Sequence, residues 1–319
     1  MEVGADVIPE AASQPLGAEA QRRLAKLSKL PLVTREPSSN PFKAFARAVR
    51  ELSEHRYLLK LLVKRELVSR YKDSTLGFLW SAIRPLTQLL IYWVVMGKFL
   101  GAARNLENFA VFIFAGLTIY GLLSETLTMM ANSITGNAGL IKKVYLPREI
   151  FPLATIGSSG FNFLIQLGIL LVAALISQTL TFGWHLLYAP AAVVLVLLYA
   201  IGIGLMLAAW NASMRDVQYF TEVVLMLLMW ASPIVYSWTF VRDVLVNTSA
   251  PWLLEVYLAS PVTLGVLGFQ QAFWAEGSNG VVPDMLWLRM LISALVGCVV
   301  LFWGQRVFAK RQANFAQEL

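Results

Sequence analysis

Apolar residues in this chain fall in long runs near 79–100, 109–131, 150–177, 187–210, 218–238 and 286–305, with polar residues gathered between them. A helix needs about 20 apolar residues to cross the roughly 30 Å hydrocarbon layer of a bilayer, so each run predicts one transmembrane helix. A weaker apolar stretch, 251–275, contains Pro251, Glu255, Pro261, Gln270 and Gln271. Broken by proline and too polar to cross alone, it predicts a re-entrant or interfacial hairpin, permitted where protein covers its backbone. Six crossings put both termini on one side of the membrane.

Ahead of the first run, residues 55–74 have a different period. Leu58, Leu61, Leu62 and Val68 fall within roughly 120° of a helical wheel while Lys60, Lys64 and Arg70 lie off that arc, although Arg65 and Lys72 intrude. The pattern predicts an amphipathic helix within 51–78, lying in the headgroup layer with its basic side chains snorkelling to water; an ordinary soluble helix is the plainer alternative. Residues 1–50, rich in Ala, Pro, Ser and charge, predict a poorly ordered extension with a short helix at 18–30. Met1 is followed by acidic residues and no apolar run there is long enough for a signal-peptide core, so the extension is expected in the cytoplasm. The segments are then an extension (1–50), an interface helix (51–78), a six-span unit (79–310) and a cytoplasmic tail (311–319). The fold class is all-α integral membrane, with the hairpin on the periplasmic side.

Composition agrees with this pattern: 57% of residues are hydrophobic, only 14% are charged, and mean hydropathy is +0.63. Soluble domains carry about 25% charged residues, so a soluble enzyme is excluded. The net charge of +7 raises the possibility of nucleic acid, but its distribution answers otherwise. In the six-span arrangement 22 of the 26 Lys and Arg lie on the side of the termini, and only Lys98, Arg104, Arg242 and Arg289 lie opposite. By the positive-inside rule both termini are cytoplasmic, and nucleic acid drops out as a partner.

Familiar catalytic chemistry finds little support. The Gly97-Lys98 pair is followed by Phe99 and lacks the earlier glycine of a phosphate loop, so the chain is not expected to hydrolyse ATP itself. His55 and His185, the two histidines, are predicted on opposite faces of the membrane; no metal site, G-x-S-x-G nucleophile or other catalytic residue is assigned. Cys298, the single cysteine, excludes an internal disulfide and reads as a small residue in an apolar run.

Three segments carry a resemblance. The run Arg70-Tyr71-Lys72-Asp73-Ser74-Thr75-Leu76-Gly77-Phe78-Leu79-Trp80 with Pro85, the loop Asn137-Ala138-Gly139-Leu140-Ile141-Lys142-Lys143-Val144-Tyr145-Leu146-Pro147-Arg148-Glu149, and Asn211-Ala212-Ser213-Met214-Arg215-Asp216-Val217 with Ser232-Pro233-Ile234-Val235-Tyr236 stand in that order. Over 55–315 they resemble the permease subunits of bacterial ATP-binding-cassette polysaccharide exporters. The resemblance implies a homodimer in the bacterial inner membrane, bound to two copies of an ATPase subunit that holds ATP and Mg. It would export a lipid-linked O-antigen, capsule or teichoic acid polymer, with periplasmic export components as further partners and no cofactor in this chain. The chain departs from the usual pattern in its long extension and in Ser260-Pro261, where relatives often have Asn-Pro.

The resemblance also assigns residues. In the 137–149 loop, Asn137 is expected to N-cap a short helix that Pro147 ends. That helix, with Leu140, Ile141, Val144 and Tyr145 as its apolar residues, is expected to have no core of its own and to dock as a coupling helix on the ATPase. Lys142 and Lys143 either pair with acidic groups there or serve as basic anchors, and Arg215-Asp216 is either an ion pair at the docking face or a solvated turn. Lys64, Arg65, Arg70 and Lys72, with Arg84, are candidates for receiving the lipid phosphate, Arg through its planar fork and Lys as a point charge. Arg84 and Glu125 are ionisable groups in or near spans, which usually face protein or an aqueous path. Tyr92, Tyr120, Tyr236 and Trp238, with Glu125, Asn162 and Gln166, are the channel-lining candidates, although aromatics at span ends also form ordinary interfacial belts. Two other classes remain open, a drug or small-lipid exporter of the same superfamily and, more remotely, an integral-membrane glycosyl- or acyltransferase.

Overall fold

The computed structural model describes residue 50 and residues 53–72, 74–99, 101, 106–143, 146–246, 252–274 and 282–319. The expected N-terminal extension, its helix at 18–30, Val144 and Tyr145 lie outside these residues. Regular structure among the described residues is helical throughout.

The interface helix α1 is Arg56–Tyr71. The first span begins with a 3-10 turn at Gly77–Leu79, continues as α2 (Trp80–Tyr92) and ends in a π-helical stretch at Trp93–Phe99. Then come α3 (Phe109–Asn132), the short α4 (Ala138–Ile141), α5 (Ile150–Ile176) and α6 (Tyr188–Ser213). The remainder are α7 (Asp216–Ala231), α8 (Trp238–Val246), α9 (Trp252–Ala259), α10 (Pro261–Phe273), α11 (Leu286–Arg311) and α12 (Phe315–Glu318).

Among the described residues, five helical stretches are long and apolar enough to cross a membrane: 77–99, 109–132, 150–176, 184–213 and 286–314. The run at 218–238 differs from its expected form. Its helix α7 has 16 residues, about 24 Å at 1.5 Å per residue, short of a full crossing. Pro233 ends it, because the residue before a proline is driven out of the α region; Ser232 is extended, at φ −101° and ψ 151°. The chain continues irregularly through Ile234 and Val235, both buried, and the Gln270 amide donates to the Pro233 carbonyl at 2.8 Å. Irregular backbone at membrane depth is tolerated when protein covers and satisfies it in this way. In the 251–275 stretch, α9 and α10 meet at a 72° bend, and the pair together is long and apolar enough for a sixth crossing. Pro261, as the first residue of α10, needs no hydrogen-bonded N–H there.

The bundle is organised around α3, which packs on α5, α6, α7 and α10 and is buried on nearly all sides. That is the expected state of a helix apolar all round. Helices α6 and α11 cross at backbone contact: a Cβ added to Gly304 would lie 2.0 Å from the Gly202 carbonyl oxygen. Where lipid removes much of the hydrophobic drive between helices, such close approach supplies the attraction. By contrast, α2 has no buried residue, and α7 buries only Thr221 and Leu225.

A second, smaller core lies at the end of the bundle that carries most of the basic residues. It joins Leu62 of α1, Met130 and Ile134 around the end of α3, Ile141 of α4, Ile150 and Phe151 of α5, Leu205 of α6, Phe308 of α11 and Phe315 of α12. The 311–319 segment, expected as a tail, is therefore folded into the unit: Phe315 is fully buried, edge-on to Phe308 at 5.3 Å.

Candidate functional site

Helix α1 turns a different face inward from the one its apolar arc suggests. Leu62 is buried and Leu58, Leu59 and Val63 pack beside it, whereas Leu61 and Val68 are exposed. Val63 is seated against α5 at Gly157, where an added Cβ would come within 2.6 Å of its side chain. At 100° per residue this inward arc is rotated by roughly 90° from the predicted one. Glu66 and Arg70 continue the inward face, their side chains partly buried, and Arg70 meets polar partners on other helices.

Those partners form one cluster drawn from four helices. Arg70 Nη1 donates to Glu125 Oε1 of α3 at 2.6 Å, and its Nη2 reaches Met129 Sδ at 2.9 Å. The Asn162 amide of α5 donates through Nδ2 to the same Glu125 oxygen. Its Oδ1 accepts from the hydroxyls of Tyr71 and Ser81, each at 3.1 Å. Two hydroxyl donors on one side and a carboxylate on the other fix the orientation of the Asn162 amide. One turn along α1 from Arg70, burial raises the pKa of Glu66; Arg70 and Arg65 act in the opposite direction, and Glu125 adds to the rise. Arg70, assigned from sequence to lipid phosphate, and Glu125 and Asn162, assigned to a channel, thus belong to one cluster. No helical or strand period relates them, so only their rarity as polar groups beside apolar spans pointed to them.

Helix α1 also reaches the 137–149 loop. Arg65 donates to Asn137 Oδ1, while Asn137 Nδ2 donates to the Ser133 carbonyl at 2.8 Å. Asn137 accordingly makes no capping bond, and its side chain ties α1 to the loop. Helix α4 ends at Ile141, well before Pro147. The expectation that this loop helix has no core of its own is also overturned: Ile141 is buried in the second core and Leu140 packs partly against it. Among the described residues of the loop, Gly136, Gly139, Lys142 and Lys143 are exposed, and added Cβ atoms at both glycines would meet open space. Arg215 and Asp216 are exposed at the start of α7 and, among the described residues, form no ion pair with each other. Asp216 lies in the first turn, where the helix dipole favours a negative charge.

The remaining candidates divide by exposure. Lys64, Lys72 and Arg84 are exposed. On α2, Arg84 lines a shallow groove with Thr87 and Gln88, residues that sequence reading passed over; their spacing of three and four from Arg84 was the available signal. Tyr92, in the same groove, lies edge-on to Trp230 at 6.5 Å, and the Tyr236 hydroxyl donates to the Trp230 carbonyl at 2.9 Å. Tyr120 and Trp238 are buried in the main core, with the Tyr120 hydroxyl bonded to the Leu225 carbonyl. Gln166 packs against Gly121. Among the described residues, no three His, Cys, Asp or Glu side chains gather as metal ligands.

The segment from α1 through α10 is also what a known family shares. The family model for the ABC-2 type transporter matches residues 57–274. The chain belongs to the ABC-2 type transporter family. Membership makes it the membrane subunit of a transporter whose ATPase is a separate partner. Among relatives of this ABC-2 chain, the O-antigen export system permease protein RfbA of Myxococcus xanthus is 30% identical over 274 residues, covering 86% of this chain and 99% of the relative. A Klebsiella pneumoniae protein of the same name is 24% identical, covering 82% and 95%. The capsule polysaccharide export inner-membrane protein CtrC of Neisseria meningitidis serogroup B is 23% identical, covering 81% and 92%.

Proposed function

We propose that this chain is the permease of an exporter that moves a lipid-linked cell-surface polysaccharide, an O-antigen or capsule polymer, across the bacterial inner membrane. It works as a homodimer with both termini in the cytoplasm, driven by two copies of an ATPase subunit that binds ATP and Mg. The observation that carries the reading is the near full-length match to the Myxococcus xanthus O-antigen permease.

Several features support it. Arg84, Thr87 and Gln88 are exposed on a spanning helix, where facing lipid would cost several kcal/mol for the arginine alone. A second copy or a hydrated path across α2 relieves that cost, and the apolar α7 face at Tyr219, Phe220, Val223 and Leu227 is exposed as well. Lys64 and Lys72 remain free to meet a lipid phosphate at the inner surface, and the 136–143 loop offers the ATPase a flat, basic face. An exporter of drugs or small lipids would share the docking loop but would call for a closed apolar pocket, whereas the groove on α2 is open and carries Arg84 and Gln88.

A deletion strain is expected to lose surface glycan and accumulate its lipid-linked precursor inside the cell; normal surface glycan would overturn the reading. The docking face has its own test. Gly139→Trp adds bulk where the permease has open space, so the variant should accumulate in the membrane yet lose the ATPase and export.

A further inference from the structure

The α11–α12 segment touches both loops at the basic end, and each contact is of a different kind. Phe315 is fully buried in the second core and packs edge-on against Phe308 at 5.3 Å. The Arg148 guanidinium stands over the outer side of the same ring at 6.0 Å, and Gln305 Nε2 donates to Glu149 Oε1 at 3.1 Å. Arg148 and Glu149 close the first loop. At the second loop, Ser213 Oγ donates to Glu318 Oε2 at 2.5 Å, immediately before the exposed Arg215-Asp216. A solvated tail would leave these groups to water, and ordering it costs about 1–2 kcal/mol per residue in backbone entropy. Here a fully buried ring and a charge-assisted hydrogen bond work against that cost.

We infer that residues 312–319 form a strap that holds the first and second loops at fixed spacing, so that both meet the ATPase subunit as one rigid face. Phe315 and Glu318 are then positioning residues for energy coupling. They act through the loops and need not touch the ATPase. The inference rests on the permease reading above, but it concerns residues beyond the matched segment 57–274.

The test uses the full transporter in cells and the detergent-solubilised complex, measuring permease in the membrane, co-purified ATPase and surface glycan. Glu318→Ala removes the acceptor for Ser213, and Glu318→Gln keeps one. Glu318→Ala is expected to lower co-purified ATPase about fivefold, the factor for one net hydrogen bond, while Glu318→Gln retains most of it. Phe315→Ala should lower both ATPase binding and glycan further, and Phe315→Leu should restore them in part; a merely structural site would instead change the amount of permease. If Phe315→Ala fails to accumulate, the Glu318 pair decides. Wild-type ATPase binding and export in Glu318→Ala, or lost export with ATPase fully bound, would overturn the strap. Retained ATPase binding in Gly139→Trp would instead count against the docking face itself, so the two failures are separable.

Discussion

The two hydrophobic cores are built from the same residue types on different plans. In the main core, Ile113, Phe114, Leu195, Phe269 and their neighbours come from long helices lying side by side. Polar groups there are mostly satisfied by backbone, as Thr118 is by the Phe114 carbonyl at 2.7 Å and Tyr120 by that of Leu225. The second core brings together single side chains from α1, α4 and α11, short stretches at the ends of α3, α5 and α6, and Phe315 at the start of α12. Its borders are side-chain pairs: Arg65 with Asn137, Arg70 with Glu125, Ser213 with Glu318. A core of long parallel contacts resists displacement. A core of short pieces joined by polar ties can shift as a unit, and the ties at Asn137 and Ser213 carry such a shift to the adjoining loops.

The largest effect is expected where the long helices α6 and α11 touch at backbone distance. Gly304→Leu puts a side chain where the Gly202 backbone lies, and the overpacking costs upward of about 1–3 kcal/mol. The permease is expected to vanish from the membrane on immunoblots, with export lost as a consequence; normal accumulation would contradict the backbone contact.

A smaller effect, of a different kind, is expected at the border. Glu125→Leu leaves the partly exposed Arg70 guanidinium without its carboxylate, at a cost of about 1 kcal/mol because water still screens the charge. The variant should accumulate but export poorly, and adding Arg70→Leu should recover part of the loss, a positive coupling in a double-mutant cycle. Equal export by Glu125→Leu and the parent would remove the cluster from the mechanism.

Next, Asn137→Ala cuts the tie between α1 and the first loop. About 1 kcal/mol of local stability should be lost, read as faster amide exchange in 133–143 with 113–119 unchanged. If both regions exchange faster, the two cores are not separable units.

The smallest effect concerns pH. Burial raises the Glu66 pKa above its ordinary value of 4.5, so the docked helix disfavours the carboxylate. For a raised acid the penalty is fully present above the docked-state pKa, falls as pH drops through it, and is gone below the undocked value. Amide protection of α1, corrected for intrinsic exchange, should therefore rise slightly as pH falls from neutrality toward 4.5, and Glu66→Gln should flatten the trend.

How far the sequence reached differs between the two cores for the same reason. Spans at 109–132, 150–176 and 286–314 lie close to the apolar runs, because a membrane-crossing helix must be continuously apolar and about 20 residues long whatever its neighbours. Even the interruption after α7 was written locally, in Pro233. The inward face of α1 was not, because apolar Leu61 looks better suited to it than Arg70 until Glu125 stands opposite. Likewise Ile141 reads as an exposed docking residue until the fold places it in the second core.

By itself, then, the sequence determined a membrane bundle, the bias of its charge to one end, and a family signature in three loops. These are properties of consecutive residues answering to lipid and water. Only the tertiary structure decided that Arg70, Glu125 and Asn162 share one cluster, that Glu66 and Arg70 lie on the inward face of α1, and that Phe315 is a core residue. Each of these depends on partners tens of residues or more away, and a buried polar or aromatic group is stabilised only by the partner the fold brings to it.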